Sequence, residues 1–291
     1  MDLEILVQNS SRLDKAIRNE ASISVMETKE GIKTGQIKVN GHVVKKPSFQ
    51  VRKGDRISGK WQKRKKEIKA PKPLEIIYED AHLIVINKPS GLLSVPTSHS
   101  KRSSALDKIN RHLKEKNFSN KAMAIHRLDR FASGVLMFAK NFSTKENMMA
   151  FFKDKQITKT YLAIVRTKNF PFDSKGEISI FLKDNRSHSK VIIGEGKDAK
   201  TSYEILNQNP EYSLIRAITH TGRRHQVRAH FAHGLVPILG DILYGDGKDK
   251  EKFTRLMLHA ESIAFPHPQK GKVMTIKTLY PRDFESLIEL T

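Results

Sequence analysis

The spacing of apolar and polar positions changes several times along the chain, and each change predicts an element. Leu13 and Ile17 stand four residues apart, which predicts a short helix running through Arg18 with Ser11 as its cap. A second helix is expected to end near Gly35. Gln36 to Val39 then alternates like a strand, Asn40-Gly41 is a two-residue hairpin signal, and Val43-Val44 begins the return strand. Gly54-Asp55 marks another turn, before Ile57. From Leu74 onward strand-like runs alternate with helical ones: Ile76 to Tyr78, Leu83 to Ile86, a helix near Ser104 to Leu113, then Gly134 to Ala139. Ser143 and Glu146 read as a capping box for a helix whose Met149 and Phe152 face a core. Further strands are expected around Tyr161 to Val165, Ile178 to Phe181, Val191 to Ile193, Thr201 to Leu206 and Ser213 to Ile218, with a last helix starting near Arg223.

Between the two patterned regions, KWQKRKKEIKAPKP at 60 to 73 holds seven Lys or Arg and two prolines with almost no periodicity, so it reads as a linker. The expected organisation is a small domain over 1–60, a basic linker over 61–73 and a larger domain over 74–291. A chain of 291 residues has the length for both.

Composition narrows the function classes. With no cysteine there is no disulfide framework, no thiolate nucleophile and no Cys-ligated metal. No apolar run reaches the roughly 18 residues of a membrane span, and MDLEILVQNS lacks the basic and apolar regions of a secretory signal, so a cytoplasmic protein is expected. The formal charge of +22, from 53 basic against 31 acidic residues, points to a polyanionic partner whose binding weakens with salt. The first 70 residues hold 17 basic and 8 acidic residues, so the charge leans toward that end.

The segment SRLDKAIRNE followed by IKVNGHVVKKPSFQVRKGDRI resembles the small RNA-binding domain first known from a ribosomal protein of the small subunit, with VNG and KGD at that family's spacing. The resemblance implies two helices and a hairpin that present basic side chains to structured RNA.

The candidate chemistry lies at His126-Arg127-Leu128-Asp129-Arg130-Phe131-Ala132-Ser133-Gly134, a carboxylate between two arginines in a loop before the apolar run GVLMFAK. Taken alone, Arg-Leu-Asp carries little, because Arg12-Leu13-Asp14 repeats it in the N-terminal helix. The whole stretch, however, resembles the HRLDxxTSG signature of RNA pseudouridine synthases of the RluA type, with Ala132 in place of the threonine. Other blocks of that family follow at consistent spacing: INKPSGLLSV at 86–95, KTYLAIV at 159–165, THTGRRHQVRAHFAHGLVPILGDILYG at 219–245 and LMLHAESIAFPHP at 256–268. The resemblance spans almost everything from Leu74 to Phe284. It implies an α+β catalytic fold with a mixed, mostly antiparallel central sheet flanked by helices, joined to the small N-terminal α/β domain.

What that family does is convert uridine to pseudouridine: the bond from ribose to ring nitrogen breaks, the uracil turns, and the sugar rejoins at the fifth ring carbon. Nothing is oxidised or added, so no cofactor and no metal are expected. By the resemblance, Asp129 is the essential carboxylate, attacking either the anomeric carbon or the uracil ring, much as a carboxylate serves a retaining glycosidase. Arg228 pairs with it, the alternative being that Arg228 binds phosphate like Arg223 and Arg224. Tyr161 stacks on the uracil and takes the proton from its fifth carbon; Arg127 fills the space of the flipped base; Leu258 walls the uracil from below; and His126 joins the substrate-binding set. The substrate implied is structured RNA, large-subunit ribosomal RNA first and tRNA second, met by a monomer. A non-catalytic RNA-binding or assembly protein on the same fold, and a nuclease or base-excising hydrolase using Asp129, remain open at this point. His220, His225, His230 and His233 crowd one region without completing a zinc pattern. GEGKDAKTS at 194–202 lacks the glycine spacing of a phosphate loop and reads as a turn between strands.

Overall fold

A computed structural model describes residues 2–21, 25–60, 74–97, 103–169, 173–184, 190–245, 247, 253 and 255–288. The chain divides into two compact units, residues 1–72 and 73–291. The expected linker over 61–73 lies outside the described residues.

In the first unit, strands β1 (Asp2–Leu6), β2 (Ser11–Arg12), β3 (Ile37–Val39), β4 (His42–Val43), β5 (Gln50–Val51) and β6 (Arg56–Lys60) accompany helices α1 (Leu13–Glu20) and α2 (Val25–Lys33). Leu13, Ala16 and Ile17 of α1 are buried against Ile32, Ile37, Val51 and Ile57. Ser11 does not cap α1: it pairs with Val51 in a short ladder, and the helix starts from Arg12 with no side-chain cap. The hairpin signal holds, with Asn40 and Gly41 at φ +50° and +84° between β3 and β4, both in the left-handed region that a two-residue turn of this hand requires. The Asn40 side chain then donates to Asp55 Oδ1 (2.8 Å) and accepts from Arg56 N–H (2.8 Å), so the VNG and KGD segments are physically linked.

The second unit is built on one sheet. Its strands are β7 (Glu75–Glu79), β8 (Leu83–Lys88), β9 (Met123–Ala124), β10 (Ser133–Ala139), β11 (Thr158–Arg166), β12 (Lys175–Lys183), β13 (Ile192–Ile193), β14 (Lys197–Gln208), β15 (Tyr212–Thr219), β16 (Leu258–Pro266) and β17 (Val273–Lys277), and its helices are α3 (Ala105–Glu115), α4 (Phe142–Lys153), α5 (Gln226–Gly234) and α6 (Arg282–Ile288). The order is β13-β12-β14-β15-β11-β16-β10-β8-β7, with β17 beside β16 and β9 beside β10. Among the described residues the pairing of β10 with β16 is parallel and the others are antiparallel. The fold is thus the mixed, mostly antiparallel sheet flanked by helices.

Strand β10 is buried throughout and apolar after Ser133 because it is covered on both faces. Val135, Met137 and Ala139 join Leu83 and Val85 against Met148 of α4, while Leu136 and Phe138 join Ile84 and Ile86 against Ile109 and Leu113 of α3. Ser104 caps α3 in a capping box with Asp107. Helix α4 departs from expectation: Asn141 is its cap, accepting from Thr144 N–H (2.8 Å), Ser143 lies inside the helix, and the buried methionine is Met148, leaving Met149 exposed. The helix expected near Arg223 starts at Gln226, and it is not the last, since α6 follows. Gly134 makes the parallel pairing possible: a Cβ there would meet the Ala260 carbonyl oxygen at 2.2 Å. No helix among the described residues is long and apolar enough to cross a membrane.

At the end of β7, Asp80 accepts hydrogen bonds from Tyr78 Oη (2.7 Å), His267 Nε2 (2.8 Å) and the N–H groups of His82 and Leu83. Burial alone would push this carboxyl up, but the four donors outweigh it and hold it well below the usual carboxylate range. A depressed carboxylate stabilises the fold above its unfolded pKa and loses that contribution as pH falls through the folded value. Asp80→Asn is expected to lower urea stability at pH 7 by about 1–3 kcal/mol. The gap to wild type should begin to narrow below about pH 4 and go on narrowing as pH falls further; a gap that stays constant down to pH 2 would contradict the assignment.

Candidate active site

Asp129 lies in the loop between β9 and β10, and the backbone of that loop is held by the segment after β8. The ammonium of Lys88, fully buried, donates to the carbonyls of Pro89 (3.1 Å), Leu92 (2.9 Å) and Arg130 (3.1 Å). Ser94 Oγ donates to Leu128 O and accepts from Leu128 N–H; Ser90 Oγ donates to Phe131 O; Gly91 N–H donates to Arg130 O. The INKPSGLLSV block is therefore the clamp that fixes residues 128–131. Burial pushes the Lys88 ammonium down to about 7, opposed by the charge of Asp129.

From the other side comes α5. Arg228 Nη1 donates to Asp129 Oδ2 at 2.8 Å, while its Nε and Nη2 form a two-point contact with Asp241, each at 2.7 Å. Asp241, buried, also accepts from the N–H groups of Leu243 and Tyr244. Burial opposes both charges, yet the pairing wins: Asp241 is held below its ordinary value and Arg228 above its own. Asp129 Oδ1 faces His225 Nε2 at 3.6 Å. His225 precedes α5 with a left-handed backbone, φ +53°, which turns its ring toward the carboxylate. Tyr244 Oη accepts from Val191 N–H (3.0 Å) and is hydrogen-bonded to His225 Nδ1 (3.1 Å), which fixes the ring beside Asp129. Burial, then the charges of Arg228 and Arg224, push this imidazole toward its neutral form against the pull of Asp129.

These groups border a cleft of about 690 Å³, and its lining includes every site residue expected from the sequence: His126, Arg127, Asp129, Tyr161, Arg223, Arg224, Arg228 and Leu258. Tyr161 comes from β11 and Leu258 from the start of β16. Burial and the charge of Asp129 raise the Tyr161 phenol well above its ordinary value, so its hydroxyl is protonated in the resting site. Arg127 is exposed in the cleft wall. Arg224 bonds Asp184 (2.8 Å) and Arg223 bonds the Asp198 carbonyl (3.1 Å). The ring of His126 is engaged inward, Nε2 accepting from Met137 N–H (3.1 Å), and burial pushes it down to about 3. Gln226 ties the 219–225 loop to β14 through Lys200 O and Thr201 Oγ1. No group of three or more potential metal ligands occurs among the described residues.

The RNA pseudouridylate synthase family model matches residues 82–233, more than half of the chain and the stretch that carries Asp129, Tyr161 and Arg228. The chain belongs to the RNA pseudouridylate synthase family. The S4 domain model matches residues 11–57 of this synthase. It is 32% identical to an uncharacterised RNA pseudouridine synthase of Mycoplasma pneumoniae over 99% of this chain and 95% of that one. It is 35% identical to the dual-specificity RNA pseudouridine synthase RluA of Escherichia coli (72% and 94% covered) and 30% identical to the ribosomal large subunit pseudouridine synthase D of Buchnera aphidicola (87% and 85% covered). Human RNA pseudouridylate synthase domain containing 4 shares the fold, with a TM-score of 0.60 at 24% identity over 72% of this chain and 90% of that one. The synthase is an RNA-directed isomerase with an S4 domain at its N-terminus.

Sequence reasoning had Asp129, Arg228 and Tyr161 but missed Lys88, His225, Asp241 and Tyr244 as parts of the same site. Each lies inside a family block; what was missing was the fold that joins the blocks.

Proposed function

We propose that this synthase isomerises uridines of large-subunit ribosomal RNA, with Asp129 as its catalytic carboxylate. The observation that carries the reading is the convergence of Asp129, its guanidinium partner Arg228 and the ring of Tyr161 on one cleft. An extruded uridine stacks on Tyr161 with Leu258 as the apolar wall, a contact worth about 1–3 kcal/mol against the cost of unstacking. Arg127 takes the place the base leaves in the RNA, and Arg223 and Arg224 contact phosphates. His126 borders the substrate while its bond to Met137 holds the loop. The ribosomal substrate is supported by the Buchnera relative named for the large subunit and by the S4 match. Pseudouridine maps of ribosomal RNA and tRNA from cells with and without the gene test it. Loss of positions in large-subunit RNA is expected; loss confined to tRNA would overturn the substrate, and no loss at all the whole reading.

The resting Tyr161 phenol carries its proton, so it accepts another from the fifth carbon only by passing its own on. Tyr161→Phe keeps the stacking ring and removes that path. Turnover is expected to fall by about 10²–10⁴-fold with RNA affinity within about twofold of wild type. Undiminished turnover would reduce Tyr161 to a stacking platform.

A further inference from the structure

Lys159 stands two residues before Tyr161 on β11. Opposite β15 the register runs without interruption, Lys159 facing Thr219 and Tyr161 facing Ala217, so both side chains leave the same face of the strand about 7 Å apart. Both line the cleft. The Lys159 ammonium lies 5.8 Å from the Phe152 ring centroid, and a Cβ placed on Gly222 would come within 3.6 Å of it. No described carboxylate or carbonyl is hydrogen-bonded to it. Across the ladder, the buried Thr219 hydroxyl is also without a hydrogen-bond partner. Lys159 is half-buried in the cleft wall, where a lysine usually finds a carboxylate partner. Here a cation on the cleft wall has an aromatic ring but, among the described residues, no carboxylate or carbonyl bonded to it, which is the arrangement of a seat for an incoming anion.

We propose that Lys159 is a substrate-binding residue that receives the phosphodiester flanking the extruded uridine while Tyr161 holds its base. The spacing of the two side chains on one strand matches the reach of a single nucleotide from ring to backbone, and the bare Gly222 leaves the approach to the ammonium open. The inference rests on the proposed seating of uracil at Tyr161. Burial depresses the Lys159 ammonium to about 8, so the seat weakens as pH rises through that value, and an arriving phosphate pulls the proton back on. The other ionisable groups facing the cleft are His126, Arg127 and Asp129 from the loop before β10, Lys153 and Lys155 at the end of α4, and Tyr161 on the same strand. The loop before α5 adds His220, Arg223, Arg224 and His225, α5 itself adds Arg228, and Asp184 follows β12.

The probe is fluorescein-labelled pentauridylate, bound to the full chain as wild type, Lys159→Met and Lys159→Arg. Lys159→Met is expected to bind several-fold more weakly, with the slope of log affinity against log salt reduced by about 0.7, one single-strand phosphate contact. Between pH 7 and 8.5 wild type loses about fourfold in affinity, as an ammonium near 8 requires, while Lys159→Arg stays flat because the guanidinium does not titrate. The Arg variant subtracts whatever the surrounding groups contribute. The melting temperature of Lys159→Met should equal or exceed that of wild type, since methionine removes a half-buried charge with no carboxylate bonded to it among the described residues. An unchanged salt slope, a pH loss shared by Lys159→Arg, or a lowered melting temperature in Lys159→Met would each overturn the proposal. The gene-deletion maps are read separately, so failure of the enzymatic reading is distinguishable from failure of the phosphate seat.

Discussion

Asp129→Asn is expected to give a folded synthase that binds RNA and forms no pseudouridine. The fold survives because the loop is held through its backbone: Lys88, Ser90, Gly91 and Ser94 bond the main chain of residues 128–131 and do not use the Asp129 side chain. Asparagine has nearly the same shape, but its oxygen is a weak nucleophile and its amide replaces the charge that faces Arg228 at 2.8 Å. Loss of an essential nucleophile costs about 10⁴-fold or more in turnover. RNA affinity should hold or rise slightly, because a negative charge leaves a cleft that receives a polyanion. Nucleoside analysis of RNA treated with a molar excess of enzyme measures the first quantity and filter binding the second. Turnover within tenfold of wild type would remove Asp129 from the chemistry.

How much of this was legible in the sequence depended on how local the cause was. The Asn40-Gly41 turn and the helix near Ser104 were readable because their signals are set within a few residues. The start of α4 was misplaced for the same kind of reason: Ser143 with Glu146 satisfies the capping pattern, but Asn141, two residues earlier, satisfies the cap as well, and it is Asn141 that accepts from Thr144 N–H. Ser11 was lost to a strand partner 40 residues away in sequence, Val51, which no local pattern reveals. The site shows the same division. Asp129 and Arg228 are 99 positions apart, and it was the resemblance that joined them before the geometry did. Lys88 looks like a surface lysine until its three carbonyl partners are known. Two signals were available and unused: Gly134, a glycine opening an apolar strand, announces a close backbone approach, and Lys159 shares a strand face with Tyr161 by the period-two rule.

Arg228→Met is the substitution with the largest expected effect on stability, and its rescue separates folding from chemistry. Arg228 is the shared cation of two carboxylates, and Asp241 is the more deeply buried, its side chain 1% exposed. Removing the guanidinium leaves Asp241 with the two N–H groups of Leu243 and Tyr244 and no counter-charge, which costs about 3–5 kcal/mol for a buried pair broken on one side. The aromatic face of Tyr244, 5.2 Å from the Arg228 guanidinium, loses its cation as well. Replacing both partners, in Arg228→Met with Asp241→Leu, removes the orphaned charge along with its mate, and at least half of the lost stability should return. Turnover should not return, because Asp129 Oδ2 still lacks its donor and, among the described residues, His225 is the ion-pair partner left within 4 Å of the carboxylate. Urea midpoints for the two single variants and the double variant supply the stability cycle, and pseudouridine formation by the double variant supplies the other arm. A loss below about 1 kcal/mol in Arg228→Met would show that the pairs are structurally idle. Turnover restored in the double variant would show that Arg228 serves Asp241 alone, and that the carboxylate of Asp129 works without a guanidinium at its side.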